Sequence, residues 1–110
     1  NKKLDDNEIF KIFDEDIILS NHEKLKKDLL YLQNEKTINR IIFYKEIENA
    51  INNQMIKTLY CSPKKKKIIF ENFSSDLLNF EIIEIKSLHQ NDIGIDLRKK
   101  YRGIIGITYY

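Results

Sequence analysis

Several residue types on which whole classes of protein depend are scarce in this sequence. It contains one cysteine, Cys61, and no tryptophan, and its two histidines are His22 and His89. A single cysteine excludes an intrachain disulfide and a zinc site made of cysteines. We therefore expect an intracellular, cytoplasmic protein that uses no metal ion and no small-molecule cofactor.

Long apolar runs are absent from the sequence as well. None approaches the roughly 20 residues that a membrane-spanning helix needs, and the first ten residues, NKKLDDNEIF, lack the apolar segment of a signal peptide. We therefore expect no membrane partner. Of the 110 residues 42% are apolar and 33% are charged, which predicts a single domain over 1–110 with one modest core.

Glycine is scarce, and it is placed away from any turn between a strand and a helix. The three glycines, Gly94, Gly103 and Gly106, fall in segments whose residues are typical of strands. A phosphate cradle of the dinucleotide-binding or P-loop kind needs glycines at a strand-to-helix turn. The sequence therefore argues against a nucleotide-binding fold.

Charge is nearly balanced in total but unevenly distributed along the chain. There are 19 basic and 17 acidic residues, and most of the acidic ones lie before residue 50. The second half carries the basic segments PKKKK and DLRKKYR. Such asymmetry indicates either a basic face for nucleic acid or an acidic partner, or simply two solvated surfaces of one domain.

The first half of the sequence predicts helices. Ser20 and Glu23 have the spacing of a capping box, which predicts a helix over about 21–33 with His22 facing solvent. An apolar stripe supports this helix and consists of Leu25, Leu29 and Leu32. A second helix is expected over roughly 36–54, whereas residues 8–19 fit either a helix or a short strand.

The second half predicts strands separated by turns. Apolar and polar residues alternate most cleanly in IGIDLR, and SPKKKK is expected to form a turn. The expected strands are 56–61, 67–73, 76–86, 93–98 and 104–110. This order of elements predicts an α+β fold in which two N-terminal helices pack on one face of a C-terminal antiparallel sheet.

His89 is the residue best placed for proton transfer. It lies in SLHQND near Asp92 and Asp96, and a histidine beside carboxylates can act as a general acid or base or as a metal ligand. One histidine with scattered acids is a poor set of metal ligands, so no metal site is expected. Cys61 has no histidine near it in sequence to activate it, so we expect it to be a small buried residue.

Arg98 and Arg102 flank a turn in the predicted last hairpin, and three tyrosines surround the same corner. A guanidinium held on a sheet binds a phosphate through two hydrogen bonds, and tyrosine offers a face on which an unpaired base stacks. The corner therefore predicts RNA as a possible ligand. Cleavage of RNA by its 2′-hydroxyl also needs charge stabilisation and proton transfer, which arginine, tyrosine, histidine and lysine can supply.

The order of elements and the C-terminal sequence resemble the RelE/HigB family of toxin ribonucleases. EKLKKDLLYLQ is similar to the first helix of that family, and residues 86–110 carry the clearest likeness, from the K-x-L of Lys86 to the segment GIDLRKKYRGIIGITYY. The resemblance implies phosphate or base contacts from Lys86, Arg98 and Arg102 and an aromatic role for Tyr109. It implies a metal-independent endoribonuclease of a toxin–antitoxin or contact-dependent inhibition system.

Residue chemistry and resemblance together give two sets of candidate site residues. The predicted catalytic residues are Arg98, Arg102, His89 and Tyr109. The predicted RNA contacts are Lys86, Lys99, Lys100 and Tyr101. The expected partners are a cognate antitoxin or immunity protein and RNA.

Two other interpretations stay open. An immunity protein would dock on a basic toxin through its acidic first half, by charge steering. The residues expected to contact that partner are Asp5, Asp6, Asp14, Glu15 and Asp16. A non-catalytic RNA-binding module would use the basic corner without cleaving its ligand.

Overall fold

One long helix opens the described part of the chain. The computed structural model describes residues 6–110, with side chains from Asp14 onward. Helix α1 spans Asp6–Leu32, so the helical alternative for residues 8–19 is correct. The prediction that a helix begins at Ser20 is wrong, because that residue lies inside α1. The predicted apolar stripe is confirmed, since Leu25 and Leu32 are buried in the core.

Helix α1 is attached to the loop and strand that follow residue 80. The His22 Nε2 atom lies 2.5 Å from the backbone oxygen of Lys86, and Asn21 Nδ2 donates to the backbone oxygen of Glu84 at 3.1 Å. The prediction that His22 faces solvent is therefore wrong, since the residue is 3% exposed. The hydrogen bond satisfies a ring nitrogen that burial removes from water.

The helix predicted over 36–54 is divided into three elements. A 3-10 turn at Ile38–Arg40 leads into strand β1, Ile41–Phe43, and helix α2 follows at Tyr44–Asn52. The prediction fails at β1 because pairing with a neighbouring strand outweighs the helical spacing of its apolar residues. Strand β2 then spans Ile56–Cys61, as predicted.

Helix α3, Pro63–Asn72, replaces the predicted turn at SPKKKK and the predicted strand at 67–73. Ser62 is its N-cap, and its side chain accepts a hydrogen bond from the Lys65 backbone N–H. Proline at the first helical position is also a start signal, because its missing N–H has no partner to lose there. Ser62 and Pro63 therefore favour a helix here, although the β-branched residues Ile68 and Ile69 that follow are typical of a strand.

Strand β3 is Glu81–Glu84, helix α4 is Ile93–Lys100 and strand β4 is Ile104–Thr108. The strand predicted over 93–98 is wrong because Asp92 caps a helix there, accepting a hydrogen bond from the Ile95 backbone N–H. Ile93, Leu97 and Tyr101 all pack against the core, which is a helical spacing of four. The last strand is confirmed.

The four strands form one sheet in the order β1-β4-β2-β3. β4 pairs antiparallel with both β1 and β2, whereas β2 and β3 run parallel and are connected through α3. The predicted α+β class is confirmed, with a mixed sheet rather than a purely antiparallel one. A parallel pair requires a crossover connection, and α3 provides it.

Two apolar clusters cover the two faces of the sheet. α1 and α4 pack on the face that carries Tyr60 and Ile105. α2 and α3 pack on the face that carries Leu59 and Ile104. Helices therefore lie on both faces, because successive residues of β2 and β4 point to opposite sides and all of β4 is buried.

Candidate functional site

A cleft of about 530 Å³ lies where the start of α3, the end of α4 and the turn before β4 meet. We call it the basic cleft. Its lining residues are Ser62, Pro63, Lys64, Lys65, Arg98, Arg102 and Gly103. Four of these seven residues are cationic, and they come from three separate parts of the fold.

Ser62 fixes the α3 side of the basic cleft. Its backbone N–H donates to the Gly103 oxygen at 2.8 Å, and its Oγ accepts from the Lys65 N–H at 3.3 Å. The serine is buried, so both bonds are shielded from water. The first turn of α3 is therefore held against the turn that leads into β4, with Lys64 exposed and Lys65 half-buried.

The turn before β4 has a backbone that needs glycine. Arg102 and Gly103 both have positive φ, 55° and 83°, and the Gly103 N–H donates to the Leu97 oxygen at 2.8 Å. A Cβ added at Gly103 would lie 2.8 Å from Ser62 Oγ. Glycine thus permits both the left-handed conformation and the close approach to α3.

The two arginines are each held by a neighbour. Arg98 Nη2 donates to Ser87 Oγ at 3.3 Å. The guanidinium carbon of Arg102 lies 4.2 Å from the centre of the Tyr44 ring, a cation–π contact. Both arginines are exposed, and these contacts hold their guanidinium groups at the rim of the cleft.

A pair of stacked rings lies beside Arg102. Phe43 and Tyr101 have centroids 5.5 Å apart and planes inclined by 11°. Phe43 precedes Tyr44 and Tyr101 precedes Arg102, so the pair continues the surface of the cleft. We call Phe43, Tyr44 and Tyr101 the aromatic edge. Phe43 is 41% exposed, which leaves part of its ring open to a ligand.

The cations of the basic cleft lack acidic partners in the part of the chain whose side chains are described, from Asp14 onward. Other cations there do have partners, such as Lys66 with Glu84 at 3.2 Å and Lys100 with Asp96 at 3.9 Å. None of Lys64, Lys65, Arg98 and Arg102 forms an ion pair within that part. The cleft therefore carries an uncompensated positive charge.

The predicted catalytic residues are not brought together. Arg98 and Arg102 share the basic cleft, but His89 lines a different cavity of about 580 Å³ with Ser87 and Leu88. Tyr109 follows the far end of β4, whose five residues span about 16 Å. The structure thus places the two arginines in one cleft and His89 and Tyr109 elsewhere, and the catalytic role of the four residues stays a prediction.

The predicted RNA contacts are divided as well. Lys99 and Lys100 are in the last turn of α4, where positive charge is favourable against the helix dipole. Tyr101 belongs to the aromatic edge. Lys86 lies apart from the basic cleft, beside Glu84 at 3.9 Å and in a groove between α1 and β3.

Four of the five acidic residues predicted to meet a toxin are on α1. Asp14, Glu15 and Asp16 are exposed, and consecutive helical residues point about 100° apart, so they do not form one face. Asp6 begins α1 and its side chain lies outside the described part, as does the whole of Asp5.

Asp92, at the start of α4, and Cys61, at the end of β2, have shifted pKa values. Partial burial raises the pKa of Asp92, but hydrogen bonds from the backbone N–H groups of His89, Leu88 and Ile95 outweigh it and lower the pKa to about 2. Burial raises the pKa of Cys61 to about 12. The thiol therefore stays protonated and buried at neutral pH, as a space-filling residue would.

The sequence pattern predicted a site at the arginines but gave no indication that Ser62, Gly103, Phe43 and Tyr44 lie beside them. The Ser-Pro helix start was the local signal available for Ser62. Within the described residues, no three histidine, cysteine or acidic side chains are grouped to hold a metal ion. No helix in that part is long and apolar enough to cross a membrane.

Neither a family model nor a curated protein matches this sequence. Solved structures match its fold. An archaeal translation termination factor, aRF1, has 16% identity and a TM-score of 0.58 over 84% of this chain and 25% of its own. Pelota of Archaeoglobus fulgidus has 15% identity and a TM-score of 0.59 over all of this chain and 38% of its own. A model of ribosome-bound archaeal Pelota and ABCE1 has 16% identity and a TM-score of 0.65 over all of this chain and 34% of its own.

This likeness concerns the fold, and the chain spans between a quarter and two fifths of the length of these neighbours. It overturns the expected RelE/HigB resemblance, because α4 replaces a strand of the expected hairpin and helices cover both sheet faces. The interpretations as an RNA-cleaving toxin and as an immunity protein are wrong. The expected toxin, antitoxin or immunity partner is wrong for the same reason.

Proposed function

We propose that this chain is a binding domain of a translation factor similar to aRF1 and Pelota, acting in the cytoplasm as one domain over 1–110. The observation that carries the proposal is a fold likeness over 84% to 100% of the chain, with TM-scores from 0.58 to 0.65. Both neighbours are larger proteins, so the domain would contribute one part of a larger activity.

The arrangement of side chains supports binding rather than catalysis. His89, the one exposed loop histidine, lines a cavity of its own, and the thiol of Cys61 is buried with a raised pKa. The basic cleft is lined by cations and bordered by the aromatic edge, and neither a histidine nor a carboxylate is among its lining residues. Such a surface recognises an anionic partner without changing it.

A ribosome is the partner that we propose. One neighbour is described as ribosome-bound Pelota with ABCE1, and a ribosome presents a dense array of phosphates. The uncompensated charge of the basic cleft suits such a partner, since electrostatic attraction speeds the encounter of oppositely charged surfaces.

Sedimentation of the purified chain with archaeal ribosomes through a sucrose cushion tests the proposal. We expect the chain to pellet with ribosomes and to be displaced by Archaeoglobus fulgidus Pelota. As a control, Ile105→Asp places a charge at a core position that is 1% exposed, so that variant should unfold and stay in the supernatant. A folded chain that never pellets with ribosomes would contradict the proposal.

A further inference from the structure

We infer that the basic cleft binds the phosphate backbone of single-stranded or looped RNA and that the aromatic edge stacks on one of its bases. An RNA ligand goes beyond the proposed function, because the same contacts would form whether the RNA belongs to a ribosome or to another molecule. The evidence comes from the placement of the charges, the restraint on the arginines and the rings beside them.

The placement of the lysines is the first argument. Lys64 and Lys65 lie in the first turn of α3, which contains no acidic residue. The N-terminal end of a helix carries partial positive charge, so lysines are unfavourable there and acidic residues are favoured. Helix stability therefore does not account for these two charges. A bound anion does, because it would be attracted by both lysines and by the helix end.

The restraint on the arginines is the second argument. Arg98 donates to Ser87 Oγ and Arg102 lies over the Tyr44 ring, so each guanidinium is already positioned before a ligand arrives. Binding then costs less side-chain entropy. The planar guanidinium also matches two oxygens of a phosphate, which a lysine does not.

The aromatic edge is the third argument, and it favours RNA over an acidic protein segment. Phe43 is stacked on Tyr101 and is 41% exposed, next to the Tyr44 ring under Arg102. Unpaired bases stack on such rings in single-stranded RNA recognition. A run of aspartates or glutamates would satisfy the cations but would make no stacking contact with the exposed part of the Phe43 ring.

Fluorescence anisotropy with a labelled uridine RNA of roughly 12 nucleotides tests the assignment. Arg98→Ala plus Arg102→Ala should weaken RNA binding at least about tenfold, since each lost contact is charge-assisted. The slope of log affinity against log salt should fall by about 1.4, the value for two phosphate contacts to a single strand. Lys27→Ala plus Lys36→Ala removes the same charge from exposed positions away from the cleft and should change affinity by less than about threefold.

Phe43→Ala separates stacking from charge. It should weaken binding of the RNA and leave binding of inorganic polyphosphate unchanged, because polyphosphate has no bases. Circular dichroism of each variant establishes that it is folded. The inference is overturned if folded Arg98→Ala plus Arg102→Ala binds RNA normally, or if a glutamate peptide of equal charge binds as tightly as RNA through the same arginines.

Failure of this inference is distinguishable from failure of the proposed function. If the double arginine variant retains RNA affinity while the chain still pellets with ribosomes, only the basic cleft assignment is lost. If the wild-type chain binds RNA through the cleft but does not pellet with ribosomes, the translation-factor proposal is lost and the RNA site remains.

Discussion

The carboxylate of Asp92 holds the loop before α4 to the start of that helix, and its ionisation makes the stability of the protein depend on pH. Its Oδ2 accepts from the backbone N–H groups of Leu88 at 2.5 Å and His89 at 3.0 Å, and its Oδ1 accepts from Ile95 at 3.1 Å. One carboxylate thus organises the loop before α4 and caps the helix. These bonds strengthen when the group is ionised, which is why its pKa falls to about 2.

The depressed pKa predicts how stability depends on pH. Because the folded-state pKa lies below the unfolded one, the contribution of Asp92 is complete above about pH 4 and is lost as the pH falls toward 2. Allowing for solvent screening, we expect it to be about 1–2 kcal/mol. Asp92→Asn should lower the free energy of unfolding at pH 7, since an amide nitrogen accepts no hydrogen bond, and the difference from wild type should shrink below pH 4.

Urea unfolding at a series of pH values measures this difference. Asp76→Asn is the matched control, because Asp76 is exposed and makes no side-chain hydrogen bond within the described residues. Its unfolding free energy should stay close to that of wild type throughout. A difference for Asp92→Asn that does not depend on pH would contradict the role assigned to the ionised carboxylate.

Gly106 is a close-approach position in the central strand. A Cβ there would lie 2.7 Å from Ile47 Cδ1, 3.0 Å from Ile42 Cγ1 and 3.2 Å from Ile56 Cδ1. Gly106→Ala should therefore destabilise the protein by about 1–3 kcal/mol through overpacking. Adding Ile47→Val removes the nearest methyl group and should recover part of the loss. Urea unfolding measures the free energies of the two single variants and the double variant. If the losses from Gly106→Ala and Ile47→Val simply add, the steric clash between these two residues is contradicted.

At the scale of elements, Ser62 determines where α3 begins and how it meets the basic cleft. Ser62→Ala should cost about 1 kcal/mol, the usual value of a lost N-cap, and thermal unfolding measures it. Ser75→Ala, at an exposed position, is the control and should change stability by less than about 0.5 kcal/mol. An equal effect of both substitutions would show that the cap is dispensable.

Local patterns predicted some elements and failed at others for identifiable reasons. The leucine stripe of α1 followed from side-chain spacing, and the strands β2 and β4 followed from residue types that favour strands. In α4, however, Ile93 and Leu97 fit both the alternating spacing of a strand and the spacing of a helix. Only Asp92, at the capping position, distinguishes the helix from the strand. Short apolar segments are ambiguous in this way, so a capping residue carries more information there than periodicity does.

Local sequence patterns also could not predict how the candidate site is assembled from distant segments. Arg98 and Arg102 were predicted as anion contacts from their own segment. Their neighbours Lys64 and Lys65 come from a helix more than thirty residues earlier, and sheet order places that helix beside them. Spacing along one segment contains no information about this proximity, because it follows from the antiparallel pairing of β2 with β4, which places Cys61 opposite Ile104.

For the molecule as a whole, local charge matters more than total charge. The chain has a net charge of only +2, so nonspecific attraction to any polyanion should be weak. Four cations without acidic partners in the described part are nevertheless collected in one cleft. Affinity for RNA should therefore depend on substitutions in that cleft far more than on equal changes of charge elsewhere.

The position of β4 has a consequence for how the protein forms during its own synthesis. Among the four strands of the described residues β4 comes last along the chain, yet it lies between β1 and β2 and pairs with both. Until residues 104–108 emerge from the ribosome that makes them, β1 has no partner and the two halves of the sheet stay separate. The sheet therefore cannot close before residues 104–108 are available, and the insertion of that one strand joins β1 to β2 and β3.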